Sequence, residues 1–241
     1  MTHGIQAEND VFGAALLDFY NGKENIEITV HSSLTEDDTI PVSYLFRDYN
    51  GMPKLERLAL EKAKGKILDI GACSGSHALY LQEKGLDITA LDSSPGAIEV
   101  CKKRGLVKTV CEDILNYDND HFDTLILMMN GTGIFETIGR SGTYLRKLHK
   151  MLNSGGQVLI DATDINYMFE EEDGSYWVDL NRDYYGEVRF QLSYNNKKSA
   201  FFDWLYLDFD NLKQLALNAG FTINLLSEGP DHTYLAQLVK P

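Results

Sequence analysis

Within ILDIGACSGSHALYL, residues 67–81, a short apolar strand runs into an acidic glycine turn and then directly into a helix. Glycines at Gly71 and Gly75 let the backbone turn tightly and come close to a ligand, while the first N–H groups of the next helix point into the same space. Further along, the apolar run ITALD ends in Asp92. A carboxylate at such a strand end can hold both hydroxyls of a ribose. A glycine turn paired with a distant acid points to a site for a nucleotide-like cofactor.

A nicotinamide-binding turn reads G-x-G-x-x-G and leaves room for a pyrophosphate under the helix N-terminus. That spacing is absent. Instead an acid precedes the first glycine, in the order Asp69, Ile70, Gly71, Ala72, Cys73, Ser74, Gly75. This order resembles motif I of the class I S-adenosylmethionine-dependent methyltransferases. The resemblance continues through ITALDSSPGAIEVCKKRG, VCEDILNY, FDTLILMMNGTG and GGQVLIDATD, in the family's order. It is close from Ile67 to Asp164. GFTINLLSEG and HTYLAQLVKP resemble the family's closing hairpin, whereas the first sixty or so residues and 166–208 match loosely.

The resemblance implies a cofactor, S-adenosyl-L-methionine, and a set of residues around it. The backbone of Gly71, Ala72, Cys73 and Gly75 would face its methionine and ribose, with Asp69 orienting the turn or meeting the amino group. Asp92 would chelate the ribose, with Ser93 beside it. Asp113 would accept from the adenine amine next to Ile114, and Asn130 with Gly131 would line the methionine side. Cys73 replaces the commoner glycine, a change tolerated if its φ stays negative; it also reads as a small buried hydrophobe. In YLFRDY, Arg47 is a candidate partner for the cofactor carboxylate. A pairing with Asp48 or another surface acid is the competing reading.

The elements that must position these residues follow from hydrophobic period. Short apolar runs alternate with amphipathic stretches from Gly65 onward, the pattern of a parallel sheet with crossover helices. Strands are expected at 66–70, 87–91, 107–111, 123–129, 157–162, 221–227 and 233–239. The family resemblance orders this Rossmann-like α/β sheet 3-2-1-4-5-7-6 with the last strand antiparallel. A helix at 55–64 after Pro53 suggests an N-terminal helical cap over 1–64. Alternation in GEVRFQLSYNNKKSAFFDWLYLDF predicts a β-hairpin turning near Asn195, Asn196 and Lys197. The chain thus divides into a cap (1–64), a cofactor core (65–165), an inserted substrate lid (166–208) and a closing helix and hairpin (209–241) of one domain. The competing reading of the lid's aromatics, taken one by one, is a small apolar core or a dimer interface.

With 241 residues and 44% hydrophobic content, the chain can bury a full core. Three cysteines, Cys73, Cys101 and Cys111, have no paired metal-ligand spacing and supply no disulfide framework. No leader-like segment and no long apolar run stand out, so a cytoplasmic protein free of membranes is expected. A net charge of −14 repels phosphate backbones and disfavours nucleic acid. The basic run Lys102, Lys103, Arg104 and Lys108 reads as the solvated end of a helix.

Methyl transfer from a sulfonium needs collinear reactants, and positioning alone can supply roughly 7 to 11 kcal/mol of barrier. A base is needed only for hydroxyl or thiol acceptors. His121 and His149 fall at the edge of the sheet away from ligands. His77 lies one turn into the motif I helix, as a cofactor neighbour or a core residue. Asp164 and His232, at the ligand edge, are the candidate catalytic residues. Asp161, Asp164 and Asn166 make a thin case for a metal, and none is expected. The expected acceptor is a small molecule, and the protein a monomer or homodimer. Protein or RNA methylation, a non-catalytic sensor and a dinucleotide-binding protein are the competing functions.

Overall fold

Ile67, Leu68, Leu125, Ile126, Val158 and Leu159 are fully buried, as strands must be when helices cover both faces of a parallel sheet. The computed structural model describes residues 9–170 and 183–241. Its first elements are α1 (Val11–Tyr20), β1 (Glu27–Ser32), β2 (Asp38–Pro41), α2 (Val42–Leu45) and α3 (Lys54–Lys62). The alternating region follows as β3 (Lys66–Ile70), α4 (Ser76–Glu83), β4 (Asp87–Asp92), α5 (Pro95–Lys103), β5 (Thr109–Cys111), β6 (Phe122–Leu127), α6 (Ile138–Met151) and β7 (Leu152–Thr163). The chain closes with β8 (Glu187–Tyr194), β9 (Lys197–Lys198), β10 (Phe202–Leu205), α7 (Phe209–Asn218), β11 (Thr222–Glu228) and β12 (Thr233–Val239).

The main sheet has seven strands in the order β5-β4-β3-β6-β7-β12-β11. Its pairs are parallel from β5 to β7, and β12 runs antiparallel to both β7 and β11. Alternate side chains serve opposite faces. Leu68, Leu125, Leu127, Val158 and Ile160 pack with Leu145 and Leu148 of α6 and Leu212 of α7. Ile67, Ile126, Leu159 and Leu235 pack with Leu55 and Leu60 of α3 and Leu81 of α4. Among the described residues no helix is long and apolar enough to cross a membrane.

The N-terminal segment departs from the expected helical cap. Its β1 and β2 join β8 and β10 in a second sheet, ordered β10-β8-β1-β2 with β9 on β8. Ile28 and Val30 alternate with polar residues in EITVHS, a strand period too short to stand without partners. The partners come from far along the chain, with Val30 opposite Leu192 and Ser32 opposite Phe190. The hairpin at Asn195 and Asn196, both with positive φ, turns β8 into β9. Residues 171–182 of the expected lid lie outside the described residues.

Several contacts tie these added elements to the core. Asp10 caps α1 through Gly13 N–H at 2.8 Å, while its other oxygen accepts from Ser94 Oγ at 2.7 Å and Gly96 N–H at 2.8 Å. One carboxylate therefore serves two helix N-termini, where negative charge is favoured. Trp204 of β10 lies on the backbone of Gly133, where a methyl group would sit 1.9 Å from its Cε2. Asp10→Ala should cost about 1–3 kcal/mol of unfolding free energy by urea titration, because three buried donors lose their acceptor. A loss under about 0.5 kcal/mol would mean that α1 is held by its apolar face alone.

Candidate functional site

β3 ends at Ile70, and Gly71 and Gly75 both take positive φ, +77° and +83°. Their reasons differ. A Cβ on Gly71 would project into open space, whereas one on Gly75 would lie 2.7 Å from Leu106 Cδ1 and 3.0 Å from Cys101 Sγ. Gly75 is therefore a packing glycine and Gly71 leaves an open surface at the strand end. Cys73 also lies in the left-handed region, at φ +55°, so the condition of negative φ is not met. Its N–H donates to Asp92 Oδ2 at 2.8 Å, which holds it there.

Three further N–H groups of the turn itself are taken up within the protein. Gly71 and Ala72 N–H both donate to the Leu91 carbonyl, and Gly75 N–H to Ala72. Arg104, read from sequence as part of a solvated run, bends back instead and donates to the Ser74 carbonyl and hydroxyl, each at 2.8 Å. Burial pushes the Cys73 thiol above its ordinary value, reinforced by the negative Asp92.

Asp92 ends β4 with one oxygen on Cys73 N–H and the other on Ser94 N–H, both at 2.8 Å. Desolvation pushes its carboxyl up to about 6, against the pull of those two N–H groups. Ser93 is half-buried beside it. Asp113 follows β5 and accepts from Leu115 N–H at 2.8 Å, and Ile114 is buried. These residues line the C-terminal ends of β4 and β5.

Beyond β6, Met129 and Asn130 have φ of +67° and +61°. Asn130 donates to the Leu205 carbonyl at 3.1 Å and accepts from Thr163 N–H at 3.1 Å. Gly131 N–H donates to Asp161 Oδ1 at 3.1 Å. Desolvation pushes Asp161 up to about 6 despite that bond.

Arg47 is not on the surface and does not pair with Asp48. Its Nη2 donates to both oxygens of Glu56, at 2.5 and 2.6 Å, and Glu56 also meets His77 Nε2 at 2.8 Å. Burial opposes ionisation of Glu56, but His77 and Arg47 outweigh it and hold the carboxyl below its ordinary value. Burial likewise opposes a charged His77, yet Glu56 and Asp69 hold the imidazole above its ordinary value. Asp69, 1% exposed, is pushed up to about 6 by desolvation. Among the described residues, Arg47 Nε and Asp69 Oδ2 are buried without a hydrogen-bond partner. Such orphaned groups cost free energy unless a ligand or water completes them. One buried acid and one buried cation are complementary to the ammonium and carboxylate of an amino acid, so they fit the amino-acid end of the implied cofactor.

Asp164 and His232 are neighbours at the end of β7, where Asp164 N–H donates to the His232 carbonyl. Asp164 Oδ1 accepts from Tyr185 O–H at 2.7 Å and from Asn166 N–H at 2.9 Å. The His232 ring is exposed and stacks on Tyr167, with centroids 4.9 Å apart. His149 packs edge-on against Phe221, away from this crevice. Glu56 went unnoticed in the sequence, although it breaks an apolar stripe of Met52, Leu55, Ala59 and Leu60. An acid on the buried face of an amphipathic helix is the signal that would have found it.

Residues 68–160 match the family model of a methyltransferase domain. The chain is 41% identical to a solved S-adenosylmethionine-dependent methyltransferase from Bacteroides fragilis in complex with S-adenosyl-L-homocysteine, over 99% of this chain and 98% of that one, with a TM-score of 0.93. The CcbJ methyltransferase from Streptomyces caelestis shares the fold at 13% identity and TM-score 0.65, over 97% and 99% of the two chains. The sugar N-methyltransferase KedS8 from a Streptoalloteichus species does so at 15% identity and TM-score 0.54, over 77% and 85%. No curated protein sequence matches the chain.

The three raised carboxyls set a pH dependence. Asp69, Asp92 and Asp161 keep their protons to about pH 6 when folded but lose them near pH 4 when unfolded. The folded state therefore binds more protons in that window, and stability falls as pH rises through it. His77, also raised, acts in the same direction; His149, lowered by burial and by Lys240, opposes it as one group against four, and the lowered Glu56 acts oppositely only below about pH 4.5. The ligand-free protein should melt several degrees higher at about pH 5 than at about pH 7.5. A flat or inverted profile would show that these carboxyls ionise normally.

Proposed function

Because the chain belongs to the S-adenosylmethionine-dependent methyltransferases, we propose that it methylates an O, N or S atom of a small molecule by direct displacement. The cofactor is S-adenosyl-L-methionine, which supplies an electrophilic methyl group when bound. The observation that carries the small-molecule reading is the anchoring of the second sheet on the crevice. The Leu205 carbonyl accepts from both Asn130 and Thr132, at 3.1 and 3.0 Å, while Trp204 rests on Gly133. A roof bearing the half-buried Phe190, Phe202, Trp204 and Tyr206 suits a compact acceptor more than a polymer. The net charge of −14 weighs further against RNA.

Within this reading Asp92 holds the ribose, with Ser93 beside it, and Asp113 with Ile114 borders the adenine. The open surface of Gly71 and the neighbouring Ala72 and Cys73 carry the sulfur-bearing chain past the turn that Gly75 completes. Asp69 receives the ammonium and Arg47 the carboxylate, and Asn130 with Gly131 closes the methionine side. The acceptor lies beyond β7, where Asp164, oriented by Tyr185, takes a proton from a hydroxyl or thiol. His232 flanks it. Most of the rate comes from holding acceptor and methyl group in line.

Two measurements check this reading. With methyl-labelled cofactor and a fractionated cell extract, label should appear in the low-molecular-weight fraction, and label confined to protein or RNA would overturn it. Asp92→Ala should raise the Kd for S-adenosylhomocysteine at least tenfold by calorimetry, about 1.4 kcal/mol, through loss of charge-assisted bonds to the ribose. NADH serves as the control that should not bind. Unchanged affinity in a folded variant would place the ribose elsewhere.

A further inference from the structure

Glu56 joins three elements at one point. It sits in α3, 4% exposed. Both oxygens take Nη2 of Arg47, from the segment after α2, and one oxygen also meets His77 in the first turn of α4. Arg47 Nη1 is fixed separately, donating to the Tyr44 carbonyl at 2.7 Å, and the guanidinium lies 4.1 Å from the Tyr44 ring centroid. Two of the three guanidinium nitrogens are thus fastened, and the third, Nε, is buried without a partner among the described residues. His77, itself buried, takes up one Glu56 oxygen at 2.8 Å, so the carboxylate cannot swing away from Arg47 without losing a second partner.

A buried ion pair is a poor device for simply joining elements, because desolvating both charges offsets their attraction and apolar residues do as well. The apolar neighbours Leu55, Ala59 and Leu60 already join α3 to the sheet. What an apolar residue cannot do is fix the direction of a cation. We propose that Glu56 is a positioning residue for the amino-acid end of the cofactor: it aims Arg47 at the carboxylate. This rests on the assignment of Arg47 made above. Glu56 touches neither cofactor nor acceptor, and its effect is confined to one end of the ligand.

That confinement gives the test. S-Adenosylhomocysteine and 5′-methylthioadenosine share the nucleoside thioether, but only the first carries the amino-acid end. Both are titrated calorimetrically into the full chain and into Glu56→Gln, with a thermal melt to confirm folding. The expected result is a Kd for S-adenosylhomocysteine raised tenfold or more and a Kd for methylthioadenosine within about twofold of the parent. Equal weakening of both ligands would mean that Glu56 only supports the fold, and no weakening of either would mean that Arg47 needs no aiming; each overturns the proposal. If Glu56→Gln does not fold, Glu56→Asp keeps the charge but shortens the reach to Arg47 and His77. It should show the same selective loss, and parental affinity for both ligands would overturn the proposal. A parent protein that binds neither ligand would instead refute the cofactor-site assignment itself.

Discussion

The carboxylate of Asp92 is the fastening on which the site depends. One oxygen holds the N–H of Cys73, in the turn after β3, and the other holds the N–H of Ser94, which caps α5. β3 and β4 are parallel neighbours, so their ends fall side by side and only a short side chain is needed to bridge them. The bond to Cys73 keeps a non-glycine residue at positive φ, a conformation that costs an L-residue energy. Strain at one residue is thereby held by an acid twenty or so positions away, and the turn keeps its shape without a third glycine.

From that fastening the structure builds outward in both directions. Ser94 passes the connection to Asp10, whose carboxylate also caps α1, so the N-terminal helix is seated by the same chain of polar contacts that shapes the turn. A close backbone approach makes this possible, since a methyl on Gly96 would lie 2.6 Å from Gly13 Cα. On the other side, Asn130 and Thr132 share the Leu205 carbonyl. The loop after β6 and the second sheet are therefore set together. Movement of the roof would have to break these bonds or carry the loop with it.

The motif I turn and the Rossmann-like α/β class were legible because their signals are local: apolar runs, a glycine pair and an acid at a strand end. Asp92 could be singled out from its place alone. The second sheet was not legible as such. EITVHS alternates correctly, but a six-residue strand means little until its partner is known, and that partner lies about 160 residues on. Asp10, Glu56 and the orientation of Arg104 were hidden for the same reason. Each is polar, near unremarkable neighbours in sequence, and acquires its role only through distant contacts. Arg104 shows the limit well: the helix period exposes one face, yet a nearby carbonyl at Ser74 and the ring of Phe46 draw the side chain back.

The desolvated acids of the crevice fall into two kinds. Asp69, Asp92 and Asp161 are carboxyls whose desolvation is only partly offset within the protein. Glu56 is different, because Arg47 and His77 compensate it. A protein selected for stability alone would neutralise or remove the first three, since acids desolvated with only partial compensation destabilise the folded state. On the assignment proposed above, a cofactor bearing a sulfonium, an ammonium and a ribose brings positive charge and hydroxyl donors that would offset that cost. On that same assignment, the acids that weaken the empty protein are the ones a cofactor would relieve, whereas Glu56 is already compensated by Arg47 and His77.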